Sequence, residues 1–262
     1  KAYMDANPES VVLFYDSEFG TPQAYFDIFE IDTTRIVHVP VTDLEELKFD
    51  MVSQLKELDT DDKVFIMVDS VGNLASKKEV DDAEKGSSAA DMTRAKQFKS
   101  LFRMITPHLT MKDIPMVAIN HTYDSQGMFP TKVVSGGTGM YYSADTIWII
   151  GRQQDKVGTE IAGYHFVINV EKSRFVKEKS KIPISVSWEN GVDKFSGLLD
   201  MALGYGRLTR AGAWLQHVDM ETGEVLDKKF REKETHSAEF WEPILTDEKF
   251  NDWIIDKYRV GG

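Results

Sequence analysis

The stretch "VVLFYDSEFG" (Val11–Gly20) is an apolar run that stops abruptly on an acidic turn. Further along, "VFIMVDSVGN" (Val64–Asn73) repeats the design and again finishes on Asp-Ser. Neither run alternates apolar with polar residues, so both read as strands covered on both faces, the signature of a parallel sheet. A third run, "IPMVAINH" (Ile114–His121), closes on Asn120 and His121. In sheets of this kind ligands sit outside the carboxyl ends of the strands. Asp16/Glu18, Asp69/Ser70 and Asn120/His121 are therefore placed where a ligand would bind.

Outward from these strands the chain alternates element types. A helical stretch over Pro22–Phe29 precedes a short strand, "RIVHVP". "DLEELKFDMVSQLKEL" carries Leu44, Leu47, Met51, Leu55 and Leu58 at helical spacing, with Thr42 or Asp43 as N-cap and Glu46 placed for a capping box. The polar "ASKKEVDDAEKGSSAAD" reads as mobile, and a long helix follows from about Ala89 to Leu109. "TYDSQGMFPTKVVSGGTGM" reads as a loop. "DTIWIIGR", "GYHFVINVEKSR" and "PISVSWENG" read as successive strands, the last two as a hairpin-like pair. "FSGLLDMALGYG" is a helix closed by glycines, before a small mixed C-terminal piece. There Phe250, Trp253, Ile254 and Tyr258 are spaced for a helix that packs on the core. The class is α/β: a mostly parallel central sheet with helices on both faces, and antiparallel strands toward the C-terminal side.

Composition narrows the functions. The 262 residues contain no cysteine, which removes disulfides, thiol nucleophiles and thiolate metal sites and suits a reducing interior. No apolar run approaches the roughly 18–20 residues of a membrane span, no signal-peptide pattern opens the chain, and no membrane role is expected. A net charge of −12 argues against a generic nucleic-acid coat. The charge is uneven, however. Asp43–Asp62 holds eight carboxylates against two lysines, whereas Met92–Lys112 holds five Lys/Arg and no acid. That basic strip is either a solvated helix face or a footprint for a phosphate backbone.

The form apolar-apolar-apolar-Asp-Ser, "IMVDS", is that of a Walker B strand, whose Asp orders Mg²⁺ near nucleotide phosphates. A buried strand can also end on Asp merely to cap a helix. Glu18 can polarise an attacking water as a base. His121 can sense a γ-phosphate by hydrogen bonding, though a lone His is more often a satisfied structural imidazole. Three such residues on adjacent strand ends strengthen one another.

Several motifs together, "LFYDSEFG", "IMVDSVGNLASKKE", "DMTRAKQFKSLFR", "VAINHTY", "GGTGMYYSADTIWIIG", "NVEKSR" and "FSGLLDMALGYG", resemble the UvsX-like phage recombinases, strand-exchange ATPases of the RecA family. The resemblance runs from the first residues to about Ala211–Trp214. It implies a RecA-like ATPase core over residues 1–215 and a small C-terminal region over 216–262. It implies ATP and Mg²⁺ as cofactors, with Glu18 activating the hydrolytic water and Asp69, beside Ser70, as the metal-ordering aspartate. Tyr25 falls where the family stacks a ring on adenine, although a core aromatic would look the same. His121 takes the γ-phosphate switch position, and Lys172 and Arg174 match cations that reach the nucleotide of a neighbouring subunit. Two DNA-binding regions are implied: Ser76–Asp91 running into Lys96, Lys99 and Arg103, and Asp124–Gly139 with Met128, Phe129, Lys132, Gly136, Gly137 and Thr138. The implied partners are single- and double-stranded DNA, further copies of the chain in a helical filament, a recombination mediator and a single-strand-binding protein. The implied setting is the cytoplasm of a phage-infected bacterium.

One departure stands against the family pattern. The phosphate-cradling sequence G-x-x-x-x-G-K-[ST] occurs nowhere in the chain, and "SGGTG" lacks its lysine. "KAYMDANPES" resembles the end of the helix that normally follows that loop, so an incomplete recombinase is expected, without its N-terminal polymerisation segment and part of its acidic tail. Such a segment is expected to bind ATP poorly and hydrolyse it negligibly alone. The competing expectations are a non-hydrolysing RecA-fold DNA-binding or assembly protein and a RecA-fold helicase motor.

Overall fold

The computed structural model describes residues 1–86, 93–126, 128, 131–189 and 191–260. It divides into two compact units, Lys1–Ala144 and Asp145–Gly262.

In the first unit, helix α1 (Ala2–Ala6) leads into strand β1 (Val11–Asp16), helix α2 (Gln23–Ile28) and strand β2 (Ile36–Pro40). Helix α3 (Leu44–Glu57) and strand β3 (Val64–Asp69) follow. Helices α4 (Lys77–Glu84) and α5 (Thr93–Met111) then precede strand β4 (Met116–Ala118). Strands β5 (Thr122–Asp124) and β6 (Lys132–Val134) and helix α6 (Thr138–Ser143) complete the unit. The sheet is wholly parallel, in the order β2-β1-β3-β4.

Leu13, Tyr15, Ile66 and Val68 face α3 and α5 across the main core. On that side α3 buries Leu44, Leu47, Met51 and Leu55, and α5 buries Phe98, Leu101, Phe102 and Ile105. Each fully buried side chain contributes about 1.5–3 kcal/mol. Asp43 caps α3 by accepting from Glu46 N (2.8 Å), while the Glu46 carboxylate accepts from Thr42 N (2.8 Å) and Oγ1 (2.9 Å). Asp43 is thus the N-cap, and Glu46 reaches back to Thr42, one residue before the cap. The Tyr15 hydroxyl donates to Asp50 Oδ2 (2.8 Å), and burial together with that carboxylate holds the phenol protonated, far above its ordinary range. On the opposite face, Tyr3 of α1 and Phe26 of α2 pack near Phe65 and Phe14 around an apolar cavity of about 270 Å³.

Parts of the two segments read as mobile and as a loop form regular elements. Residues 77–84 form α4 because Ser76 accepts from Glu79 N (3.1 Å), an N-cap that a Ser-x-x-Glu sequence signals. Within Asp124–Gly139, β6 pairs antiparallel with β5.

The second unit opens with two long antiparallel strands, β7 (Thr146–Val157) and β8 (Glu160–Ser173), followed by β9 (Lys181–Ser187) and β10 (Gly191–Val192). Gly163 in β8 lies so close to β9 that a Cβ there would sit 2.2 Å from the Val186 carbonyl oxygen. Helix α7 (Leu198–Tyr205) is bounded by Gly197 and Gly206, both left-handed. A three-stranded sheet, β11 (Leu208–Ala211), β12 (Trp214–Val218) and β13 (Val225–Phe230), precedes helices α8 (Ala238–Leu245) and α9 (Glu248–Tyr258). Phe240, Trp241, Ile244 and Phe250 form a second core with Ala202 and Leu208, so the C-terminal helix does pack inward. Among the described residues, no helix is long and apolar enough to cross a membrane.

Candidate active site

The two Asp-Ser strand ends are neighbours. β1 and β3 run in register to their last pair, Asp16 opposite Asp69. Beyond it the serines tie the ends together: Ser17 Oγ donates to the Ser70 carbonyl (2.7 Å) and accepts from Ser70 N (3.0 Å). Ser17 N also donates to the Asp69 carbonyl (2.8 Å), and Asn73 Nδ2 donates to the Ser17 carbonyl (3.2 Å). The Asp69–Ser70 peptide is cis. Ser17 and Ser70 are buried, so these bonds form away from competing water.

Glu18 projects from this knot. Ser70 Oγ donates to Glu18 Oε1 (2.7 Å), and His121 Nε2 lies 3.8 Å from the same oxygen. His121 reaches the site because Ile119 N donates to the Val68 carbonyl and Val71 N to the Ile119 carbonyl (both 2.9 Å), which carries pairing past the ends of β3 and β4. Asn120 Oδ1 accepts from His121 N (2.8 Å), and Asn120 Nδ2 donates to the Ser135 carbonyl (2.8 Å). The site is thereby linked to the base of the Gly136–Gly137 turn. Asp69 sits beside Glu18 and Asp16. Burial, then Glu18, then Asp16 push its carboxyl above the ordinary range, against the opposing pull of His121.

Hard oxygen donors of this kind suit Mg²⁺. Among the described residues no group of three or more His, Cys, Asp or Glu is placed to hold a metal unaided.

The remaining sequence-predicted residues fall into separate places. Tyr25 on α2 is 60% exposed, so its ring face is open and the core alternative does not apply. Phe26 beside it is the residue that packs on Phe14. Lys96, Lys99 and Arg103 share the exposed face of α5, opposite the buried Phe98, Leu101 and Phe102. α6 packs closely there, since a Cβ on Gly139 would lie 2.8 Å from Lys99 Cβ. Two other cations of the basic strip turn inward. Arg94 donates to the carbonyls of Leu74 and Gly72 (both 2.7 Å) and covers the Phe98 ring, and Lys112 donates to the Leu55 carbonyl (2.6 Å) at the end of α3.

In the second candidate DNA region Met128 is 89% exposed and Lys132 pairs with Asp124 (2.9 Å) across the β5–β6 hairpin. Gly136 and Gly137 take left-handed φ values of 91° and 80°, and Thr138 opens α6. Phe129 and residues 87–91 lie outside the described residues. Lys172, near the end of β8, and Arg174, just past it, belong to the second unit, where Arg174 pairs with Asp145 (3.0 Å).

Sequence reasoning placed Asp16 only among the ligand-facing strand ends and gave Ser17 and His38 no role. Asp16 is buried and accepts from Glu18 N (3.0 Å), Phe19 N (2.8 Å) and His38 Nε2 (3.0 Å). The local signal was an Asp followed by a turn, whose carboxylate can accept from backbone N–H groups two and three residues on. The His38 partner has no local signal.

The chain is similar to known proteins over most of its length. Residues 195–254 match the family described as the C-terminal domain of the bacteriophage T4 recombination and repair protein. Across 265 aligned residues the chain is 49% identical to the recombination and repair protein of Enterobacteria phage T4, covering 99% of this chain and 68% of that protein. It is 23% identical over 222 residues to Protein RecA of Mycoplasma mycoides, covering 82% of this chain and 61% of the relative. It is 24% identical over 217 residues to Protein RecA of Chloroherpeton thalassium, with 82% and 59% covered. The chain thus spans about two thirds of the phage protein and about three fifths of these RecA proteins. With a RecA-like α/β core and 49% identity over nearly all its length, the chain belongs to the family of the phage T4 recombination and repair protein.

Proposed function

We propose that this chain is the greater part of an ATP-dependent DNA recombinase that assembles as filaments on single-stranded DNA and promotes homologous pairing and strand exchange. The observation that carries the reading is the convergence of Glu18, Asp69, Ser70 and His121 at three adjacent parallel strand ends.

In this reading Glu18 is the base. Its carboxylate, steadied by the Ser70 hydroxyl, accepts a proton from the water that attacks the terminal phosphate. His121, near Glu18, donates to a phosphate oxygen and relays its presence through Asn120 to the turn at Gly136. Asp69 would hold Mg²⁺, which when bound offsets charge on the phosphates. Tyr25 offers an open ring for the base. Lys172 and Arg174 serve a neighbouring subunit's nucleotide, Arg174 exchanging Asp145 for phosphate.

The chain contains no G-x-x-x-x-G-K-[ST] sequence, so the phosphate cradle is not among its residues. The 262 residues alone are then a poor binder and negligible hydrolyser of ATP, and turnover belongs to the complete natural protein. DNA is held by Lys96, Lys99 and Arg103 together with the second loop, where Met128 and Phe129 supply apolar contacts, Lys132 supplies charge, and Gly136, Gly137 and Thr138 supply backbone approach to phosphates. A mediator and a single-strand-binding protein are the expected partners in the host cytoplasm.

The test is joint-molecule formation between circular single-stranded DNA and homologous linear duplex, with ATP, by the complete protein. Homology-dependent joint molecules support the reading. Directional unwinding of a forked duplex without pairing would mark a helicase motor instead.

A further inference from the structure

We infer that Asp16 and His38 form a positioning pair that fixes the turn after β1 and so aims the Glu18 carboxylate at the site. The inference rests on the reading of Glu18 as the base.

The last in-register pair of β1 and β3 is Asp16 opposite Asp69, and the Ser17 N bond to the Asp69 carbonyl is the last rung. Past that point the sheet no longer dictates where the chain goes. Phe19, 60% exposed, has a left-handed φ of 53°, a conformation that residues with a side chain rarely adopt. The compensation comes from Asp16. Its Oδ1 accepts from both Glu18 N (3.0 Å) and Phe19 N (2.8 Å), closing the backbone around a buried carboxylate. A buried carboxylate needs charge-assisted partners on its other oxygen as well. His38, a strand away on β2, supplies one: Nε2 lies 3.0 Å from Asp16 Oδ2. An ionised carboxylate only accepts, so Nε2 carries a proton. The imidazole is itself held by stacking on Phe14, its register partner in β1, at 5.6 Å between ring centres and 24° between planes.

The pair also settles a problem of like charge. Asp16, Glu18 and Asp69 crowd one end of the sheet, and Asp69 responds to both of the others. Half-exposed Glu18 would relax that repulsion by swinging into solvent. With Asp16 satisfied by two backbone N–H groups and an imidazole, the Glu18 backbone is pinned. Ser70 Oγ then needs to hold only the side chain. The contacts of His38 are with Asp16 and Phe14, and it acts on Glu18 through Asp16, so its role is positioning.

Two readouts test the pair. In the 262-residue chain, His38→Ala should speed hydrogen exchange of the Glu18 and Phe19 amides by about tenfold or more, with Leu13–Tyr15 unchanged. His38→Gln, which keeps an N–H donor near the Nε2 position, should restore protection. In the complete protein, His38→Ala should lower kcat by about tenfold with little change in the KM for ATP, and His38→Gln should recover it. Unchanged exchange at Glu18 and Phe19, faster exchange along all of β1, or no rescue by Gln would overturn the inference. The reading of the site is tested separately by Glu18→Gln. If that variant hydrolyses ATP at the wild-type rate, the base assignment fails, while the exchange experiment still decides whether the pair fixes the turn.

Discussion

Burial and the Glu18 and Asp16 carboxylates hold the Asp69 proton more tightly in the folded chain than in the unfolded one, with His121 opposing them. Above the ordinary aspartate range the fold therefore carries an ionisation cost, and this cost vanishes as pH falls below that range and both states are protonated. Asp69→Asn is accordingly predicted to raise the melting temperature at pH 7 without metal or nucleotide. The gain should shrink toward zero in acid, and calorimetry across pH 3–7 checks both points. A residue whose removal would stabilise the fold would be retained for another reason, which under the proposed function is the ordering of a cation. The meeting of Glu18, Asp69, Ser70 and His121 was legible in the sequence because an apolar run ending in a polar pair announces a parallel strand and its carboxyl end together. Asp16 stood in the same motif, yet its role depends on His38, which only the strand pairing brings beside it. Arg94 and Lys112 show the converse. Composition counts them in a basic strip, and backbone carbonyls hidden from the sequence draw both inward.

At the level of elements, the contact between the turn after β3 and the end of β4 carries a sharp steric constraint. A Cβ on Gly72 would lie 2.9 Å from both Cγ and the backbone N of His121, and 3.0 Å from Asn120 Oδ1. One of those neighbours, His121 N, is backbone and cannot swing away, so Gly72→Ala must displace the His121 segment. It is predicted to destabilise the chain by about 1–3 kcal/mol, read from the urea midpoint, and to change the environment of the His121 imidazole by NMR. Helix α3 was readable from spacing and capping because both lie in contiguous residues. Helix α4 was missed despite its Ser76-x-x-Glu79 start, because eight residues of mostly charged sequence carry little periodicity. Strands β5 and β6 have three residues each, too short for an alternation pattern to register.

Across the whole molecule, an acidic chain with a net charge of −12 must bind DNA through a few well-placed cations, because the overall field opposes approach. Lys96, Lys99 and Arg103 share an exposed face of α5 and are the principal candidates in the first unit. Replacing any one of them by Ala should weaken single-stranded DNA binding uniformly across sequences and reduce the salt slope by about 0.7. Arg94→Ala should instead act mainly on stability, since its guanidinium is spent on the carbonyls of Gly72 and Leu74. Fluorescence anisotropy over a salt series separates the two kinds of cation.

Under the proposed function the two Asp-Ser strand ends are halves of one ATP site with Glu18 as its base. The most direct measurement is DNA-stimulated ATP hydrolysis by the complete protein beside its Glu18→Gln variant, with nucleotide binding measured in both. The expected kcat is lower by about 10²-fold or more in the variant, with ATP still bound at near wild-type affinity. Hydrolysis at the wild-type rate in Glu18→Gln would contradict it.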